Sequence, residues 1–231
     1  VVLASSQKTV FASLGVKNSK MKMIPTGVDV SSFRALRGVR QAVRQELGVS
    51  DDVVIGFVGR FFAEKNLFTL LESFAQASKC ADKLKLILVG TGPLEEQLRT
   101  FCHELNINDR VVFTGFRDDV NRMLSALDVF VLPSYTEGCP TALLEAMASG
   151  KAIISSNIPS IKEIVRHGKE AILVDPYDAE ELKQAILLLY NNSNLRAELG
   201  HNAEKRAGVY NIHEVCGQVL KLYKELIHSA D

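Results

Sequence analysis

The chain has 231 residues, 47% of them hydrophobic, and its 27 Lys and Arg are cancelled by 27 Asp and Glu. Such a balance excludes disorder along the whole chain and leaves no net charge with which to grip nucleic acid or an anionic membrane surface. No apolar run reaches the roughly 18 residues that a transmembrane helix needs. The chain opens on Val1 rather than Met, with no basic-then-apolar signal segment before it, and reads as a piece of something larger or a processed product.

In chain order, Val1–Ala4 reads as a short strand, Ser6–Leu14 as a helix and Met21–Ile24 as a second strand ended by Pro25-Thr26-Gly27. Asp29–Gln41 is polar and Arg-rich and reads as a linker or irregular loop. From there the hydrophobic period alternates. Strands are predicted at Val53–Gly59, Leu84–Gly90, Val111–Gly115, Val129–Leu132, Ala152–Ser156 and Ala171–Val174. Helices are predicted between them at Asn66–Ser78, Pro93–Glu104, Asp118–Ala126, Pro140–Ser149 and Pro159–His167. Near-continuous apolar runs such as KLKLILVG and DVFVLP imply burial on both faces, hence a parallel sheet covered by helices. The expected class is α/β, a doubly wound parallel six-stranded sheet. Extra C-terminal helices follow at Ala179–Asn191, Leu195–Ala207 and Ile212–Ile227, with Asp178 and Asn194 as their N-caps.

The four cysteines (Cys80, Cys102, Cys139, Cys216) form no C-x-x-C pair and no disulfide framework, and the five histidines show no H-E-x-x-H spacing. No metal site is expected, and a reducing compartment suits the cysteines.

Ligands of open parallel sheets bind beyond the carboxyl ends of the strands, so the segments after each strand are informative. GRFFAEKN puts Arg60 and Lys65 in one loop after Gly59, a planar fork and a mobile point charge suited to a pyrophosphate. The alternative is a pair of solvated loop charges. VGTGPLEEQL carries Gly90 and Gly92, which permit a tight turn, but it is neither a dinucleotide fingerprint nor a Walker A loop. PSYTEGCPTALLEAMASG is the densest stretch. Pro140 reads as the first helical residue, leaving the amides of Thr141, Ala142 and Leu143 free to bind an anion. Glu137 precedes this helix. Glu145 sits within it among apolar neighbours and needs a partner, either a pair of vicinal hydroxyls or a basic side chain. No D-x-D and no G-x-S-x-G is present.

Taken in order, IPTGVDVSSF, IGFVGRFFAEKN, LILVGTGPLEEQL, VVFTGF, DVFVLPSYTEGCPTALLEAMASGKAIISS and EIVRHGKEAILVDPYD resemble the retaining glycosyltransferases of family 4, with the GT-B fold. The most specific element is Glu137 and Glu145 with seven residues between. The resemblance implies two Rossmann-like halves across a cleft, of which this chain is the C-terminal, donor-binding half. Residues 1–24 would be a remnant of the N-terminal acceptor domain, 25–211 the nucleotide-sugar donor-binding domain and 212–231 the helix that crosses back. By the same resemblance Arg60 and Lys65 hold the donor diphosphate, Glu145 binds the ribose hydroxyls and Glu137 contacts the transferred sugar. The backbone of Gly138, Cys139, Pro140 and Thr141 cradles phosphate and sugar, and Phe116, Arg117 and Arg122 fall near the base. Many relatives carry E-G-F-G where this chain has Glu137-Gly138-Cys139-Pro140, and proline removes one amide donor.

The implied activity is a hexosyltransferase-type transfer from a UDP- or GDP-sugar to a glycan or lipid acceptor, with retention of configuration and without metal or cofactor. A role in glycan, glycolipid or cell-surface polysaccharide synthesis follows. The isolated half would bind donor without turning it over. A cytoplasmic location is expected, with room for membrane docking by a missing half. A non-catalytic nucleotide-binding domain and a nucleotide-sugar epimerase of the same architecture remain alternatives.

Overall fold

The computed structural model describes residues 1–34 and 37–228, apart from the side chains of Arg34 and Arg37. Six strands, β1 (Val53–Val58), β2 (Leu84–Val89), β3 (Val111–Gly115), β4 (Val129–Leu132), β5 (Ala152–Ser156) and β6 (Ile172–Val174), form one sheet in the order β3-β2-β1-β4-β5-β6. Every pairing is parallel, as in Val53–Leu84 between β1 and β2 and Ile55–Val129 between β1 and β4. All residues of β4 and β5 are buried, as expected of strands covered on both faces. The strand order reverses between β1 and β4. Such a reversal sends the following helices to opposite faces of the sheet and leaves a crevice at the carboxyl ends of the two strands.

The helices are α1 (Ser5–Ser13), α2 (Val30–Arg34), α3 (Arg40–Glu46), α4 (Leu67–Ser78), α5 (Glu95–Glu104), α6 (Val120–Ala126), α7 (Thr141–Ala148), α8 (Pro159–Ile164), α9 (Ala179–Asn191), α10 (Ser193–Ala207) and α11 (Ile212–His228). The core is built on fully buried Phe57, Phe61, Phe74 and Phe130 with the aliphatic strand residues. Helix α10 lies so close to the loop after α7 that a Cβ on Gly200 would stand 2.3 Å from the Gly150 carbonyl oxygen. Gly90 and Gly92 serve a similar end. A Cβ on Gly90 would fall 2.0 Å from the Gly59 oxygen, and one on Gly92 2.5 Å from that of Phe61. The exit of β2 is thus packed directly under the exit of β1.

Four expectations change. Val1–Ala4 and Met21–Ile24 do not form strands; they meet in a single parallel bridge, Val2 to Met23, because no other described strand lies beside them to extend a ladder. The segment Asp29–Gln41 is not irregular throughout. It holds α2, a 3-10 turn at Arg37–Val39 and the start of α3, while residues 35 and 36 lie outside the described residues. The Asp29 carboxylate accepts the amides of Ser31 and Ser32, a capping arrangement that starts α2. Arg40, within that segment, is not a solvated charge either: it pairs at 2.6 Å with Asp128, which Arg44 also reaches at 3.4 Å, and it donates to the carbonyls of Ser125 and Leu127. The N-cap of α10 is Asn192, whose side chain accepts the Leu195 amide, and not Asn194. Pro140, finally, is the N-cap of α7 with extended backbone rather than its first helical residue. Among the described residues no helix is long and apolar enough to cross a membrane.

Candidate functional site

The exit loops of β1 and β4 meet over the crevice, and their joint is built from backbone outward. Ala63–Lys65 form one 3-10 turn, and Asn66 follows in the left-handed conformation at φ 57°. Asparagine tolerates that conformation better than most residues. Its buried side-chain amide donates to the carbonyls of Pro133 at 3.1 Å and Pro176 at 2.7 Å, tying together the loops after β1, β4 and β6. The Tyr135 amide donates to the Glu64 carbonyl at 2.9 Å. These bonds set Lys65 opposite Glu137.

Lys65 Nζ lies 2.7 Å from Glu137 Oε1, with the two side chains 18% and 7% exposed. Ser134 donates its hydroxyl to the same oxygen at 2.7 Å. The lysine charge expected to face a diphosphate is therefore shared with a carboxylate on the facing loop. Arg60 differs. It is exposed, its guanidinium lies 4.8 Å above the Phe62 ring, and among the described residues no carboxylate pairs with it. A cation stacked on an aromatic face is held in place while its N–H groups stay available.

Beyond Glu137 the chain runs through Gly138 and Cys139 to Pro140. No side chain caps α7. Leu143, expected to have a free amide, donates to the Pro140 carbonyl at 3.1 Å. The amides of Thr141 and Ala142 have no backbone acceptor among the described residues, so two donors remain at the positive end of the helix dipole. One turn further on, Glu145 is partly buried and no described side chain pairs with it. Burial pushes its carboxyl above the ordinary carboxylate range. A group in that state is relieved by donors brought by a ligand.

Phe116, Arg117 and Arg122 stand apart from this cluster. They follow β3, two strands away from β1, and line a separate open depression of about 630 Å³. Phe116 is 79% exposed. Arg117 binds both oxygens of Asp119, at 2.7 and 2.8 Å, and both arginines also reach Glu46. The hydrogen bonds from Arg117 hold the Asp119 carboxyl below its ordinary range and raise the guanidinium above its own. These two arginines are engaged by acids, and what they leave open is the ring of Phe116.

Asn66 and Ser134 escaped the sequence reading. An asparagine directly before a helical run was a visible cue for Asn66, although not for its two carbonyl partners. The Ser134–Glu137 bond is three residues long and joins side chains within one loop, yet serine in a turn has many local alternatives. Among the described residues no three His, Cys, Asp or Glu side chains stand close enough to hold a metal ion.

The arrangement is that of a doubly wound α/β domain whose switch-point loops carry an exposed guanidinium, an ion pair and, among the described residues, two open helix-start amides. A family model described as glycosyl transferases group 1 matches residues 39–206, and the chain belongs to that family. The chain is 29% identical over 221 residues to the N,N'-diacetylbacillosaminyl-diphospho-undecaprenol alpha-1,3-N-acetylgalactosaminyltransferase of Campylobacter jejuni, covering 94% of this chain and 57% of that protein. It is also 29% identical over 222 residues to the UDP-Gal:alpha-D-GlcNAc-diphosphoundecaprenol alpha-1,3-galactosyltransferase of Escherichia coli, covering 93% and 56%. Among solved structures, a sucrose-phosphate synthase from Thermosynechococcus elongatus superposes with a TM-score of 0.87 at 27% identity, covering 99% of this chain and 58% of that one. The chain thus spans little more than half the length of these relatives.

Proposed function

We propose that this chain is the donor-binding half of a glycosyltransferase that moves a sugar from a nucleoside-diphosphate sugar to a glycan or lipid-linked acceptor, with retention of anomeric configuration and without a metal or cofactor. The observation that carries the reading is that the loops after β1 and β4 are joined by the Lys65–Glu137 ion pair, with Arg60 on the first loop and the open amides of Thr141 and Ala142 at the end of the second. As the glycosyl–phosphate bond loosens, negative charge grows on the leaving phosphate. Donors already fixed around that position stabilise the transition state more than the ground state. Glu145, raised by burial and lacking a described partner, is suited to accept two ribose hydroxyls. Glu137, anchored by Lys65 and Ser134, then contacts the transferred sugar. A diphosphate arriving beside Lys65 competes with Glu137 for its ammonium, so donor binding and sugar contact are coupled through one ion pair. Gly59 follows β1 directly before Arg60, and Phe116, with Arg117 and Arg122 beside it in the chain, is read as a flank for the base.

The relatives support the finer terms. The Escherichia coli protein is named for a UDP-sugar, a diphosphoundecaprenol-linked acceptor and an α-linked product, and the Campylobacter jejuni protein for an α-linked product on a diphospho-undecaprenol carrier. From an α-configured nucleotide sugar, an α-linked product is the outcome of retention.

Calorimetric titration of the chain with UDP, GDP and ADP tests the reading. One diphosphate is expected to bind, and Arg60→Ala is expected to weaken it by roughly tenfold or more, the loss of about 1.5–3 kcal/mol for a charge-assisted bond. Binding of none of the three, or binding indifferent to Arg60→Ala, would refute it.

A further inference from the structure

An open cleft of about 500 Å³ beside Glu137 lies between the Tyr135–Gly138 turn, the start of α8 and the N-terminal helix α1. Helix α1 is fastened across it. The Glu163 carboxylate on α8 accepts the amides of Ser5 at 2.8 Å and Ser6 at 3.1 Å, capping α1 from 158 residues away. One turn in from that cap stands Gln7. Its Oε1 accepts the Leu3 amide at 2.8 Å. Because only the oxygen of a glutamine side-chain amide can accept a hydrogen bond, this bond fixes which end of the amide is which. Nε2 is then the end that faces the Glu137 turn, and a Cβ built on Gly138 would lie 2.7 Å from it. Gly138 does not have a left-handed backbone angle, so the absence of a side chain there concerns room rather than conformation. Among the described residues Nε2 has no acceptor.

We propose that Gln7 is a further sugar-contacting residue, its Nε2 donating to a hydroxyl of the transferred sugar held against Glu137 and Gly138. The proposal rests on the donor-binding function above and adds a neutral donor opposite an acidic acceptor. Glu137 can take a hydrogen bond from one hydroxyl while Gln7 gives one to another, so the two discriminate the orientation of hydroxyls around the ring. The contact belongs to the sugar alone. It predicts an effect on the sugar nucleotide and none on the bare diphosphate.

The test uses the 231-residue chain, with UDP, UDP-glucose, GDP and GDP-mannose as probes in calorimetry. Gln7→Glu keeps the acceptor for the Leu3 amide and removes the donor; Gln7→Met removes both without adding charge. Each variant is expected to bind the preferred sugar nucleotide about three- to tenfold more weakly, the range for one neutral hydrogen bond, while its affinity for the matching diphosphate stays at the wild-type value. Gly138→Ala, which crowds only the flexible end of Gln7, is expected to lose affinity for the sugar nucleotide as well. Equal affinity of Gln7→Met and wild type for the sugar nucleotide overturns the proposal, and so does an equal loss for sugar nucleotide and diphosphate. Failure of the wild-type chain to bind any of the four probes overturns the donor-binding function itself.

Discussion

Lys65 and Glu137 are 72 positions apart and share one ion pair. Both side chains are largely withdrawn from water, so removing one partner strands the other. Lys65→Met and Glu137→Gln are each expected to destabilise the fold by about 2–3 kcal/mol, and the double variant by clearly less than their sum, measured by urea unfolding. Arg60 lacks a described carboxylate partner, and its replacement by Ala should leave unfolding unchanged within about 0.5 kcal/mol while weakening diphosphate binding. Glu145 carries a cost of a different kind. Burial raises its carboxyl in the folded protein, so the folded state holds the proton more tightly than the unfolded one. Below the unfolded pKa both states are protonated and nothing is lost; as pH rises through the folded pKa, stability falls. Glu145→Gln is therefore expected to melt higher than wild type at neutral pH, with the gain vanishing below about pH 4, and to bind nucleotide more weakly. A variant that melts lower at neutral pH would show that an ionised Glu145 is already well paired.

Elements were legible where the signal is local. KLKLILVG and DVFVLP announced β2 and β4 by unbroken apolar runs, and the loops after β1 and β4 could be singled out because the ends of parallel strands are where ligands bind. The readings that failed depend on partners far along the chain. Arg40 looked like a linker charge, since Asp128 stands more than eighty positions away. The cap of α10 was misplaced because Asn191, Asn192 and Asn194 crowd one junction, and only the backbone bend at Asn192, φ −128°, picks out which of them turns outward. The assignment has a thermodynamic consequence. Asn192→Ala is expected to lower stability by about 1 kcal/mol and Asn194→Ala by less than about 0.5, both read from thermal melts.

At the scale of the molecule the sheet order explains why the site is where it is. Reversal between β1 and β4 opens the crevice at their carboxyl ends, Asn66 ties the loops that leave them to the one after β6, and α7 starts directly after the second loop. The sequence could suggest each loop separately; their meeting is a property of topology, as is the placing of Phe116, Arg117 and Arg122 two strands away. Helix α11 buries only Val215 and leaves Leu220, Tyr223 and Ile227 more than half exposed, a face to which a second half of a longer transferase could be fitted. On that account the 231-residue chain binds a nucleoside diphosphate yet transfers sugar from UDP- or GDP-sugars no faster than the uncatalysed background, and near-native turnover by the chain alone would contradict it. The most direct measurement is an amide-resolved NMR titration with the diphosphate that binds. The account predicts that the amides of Thr141 and Ala142 shift most, together with those around Arg60 and Lys65; shifts confined to the Phe116–Arg122 depression, with Thr141 and Ala142 unmoved, would contradict it.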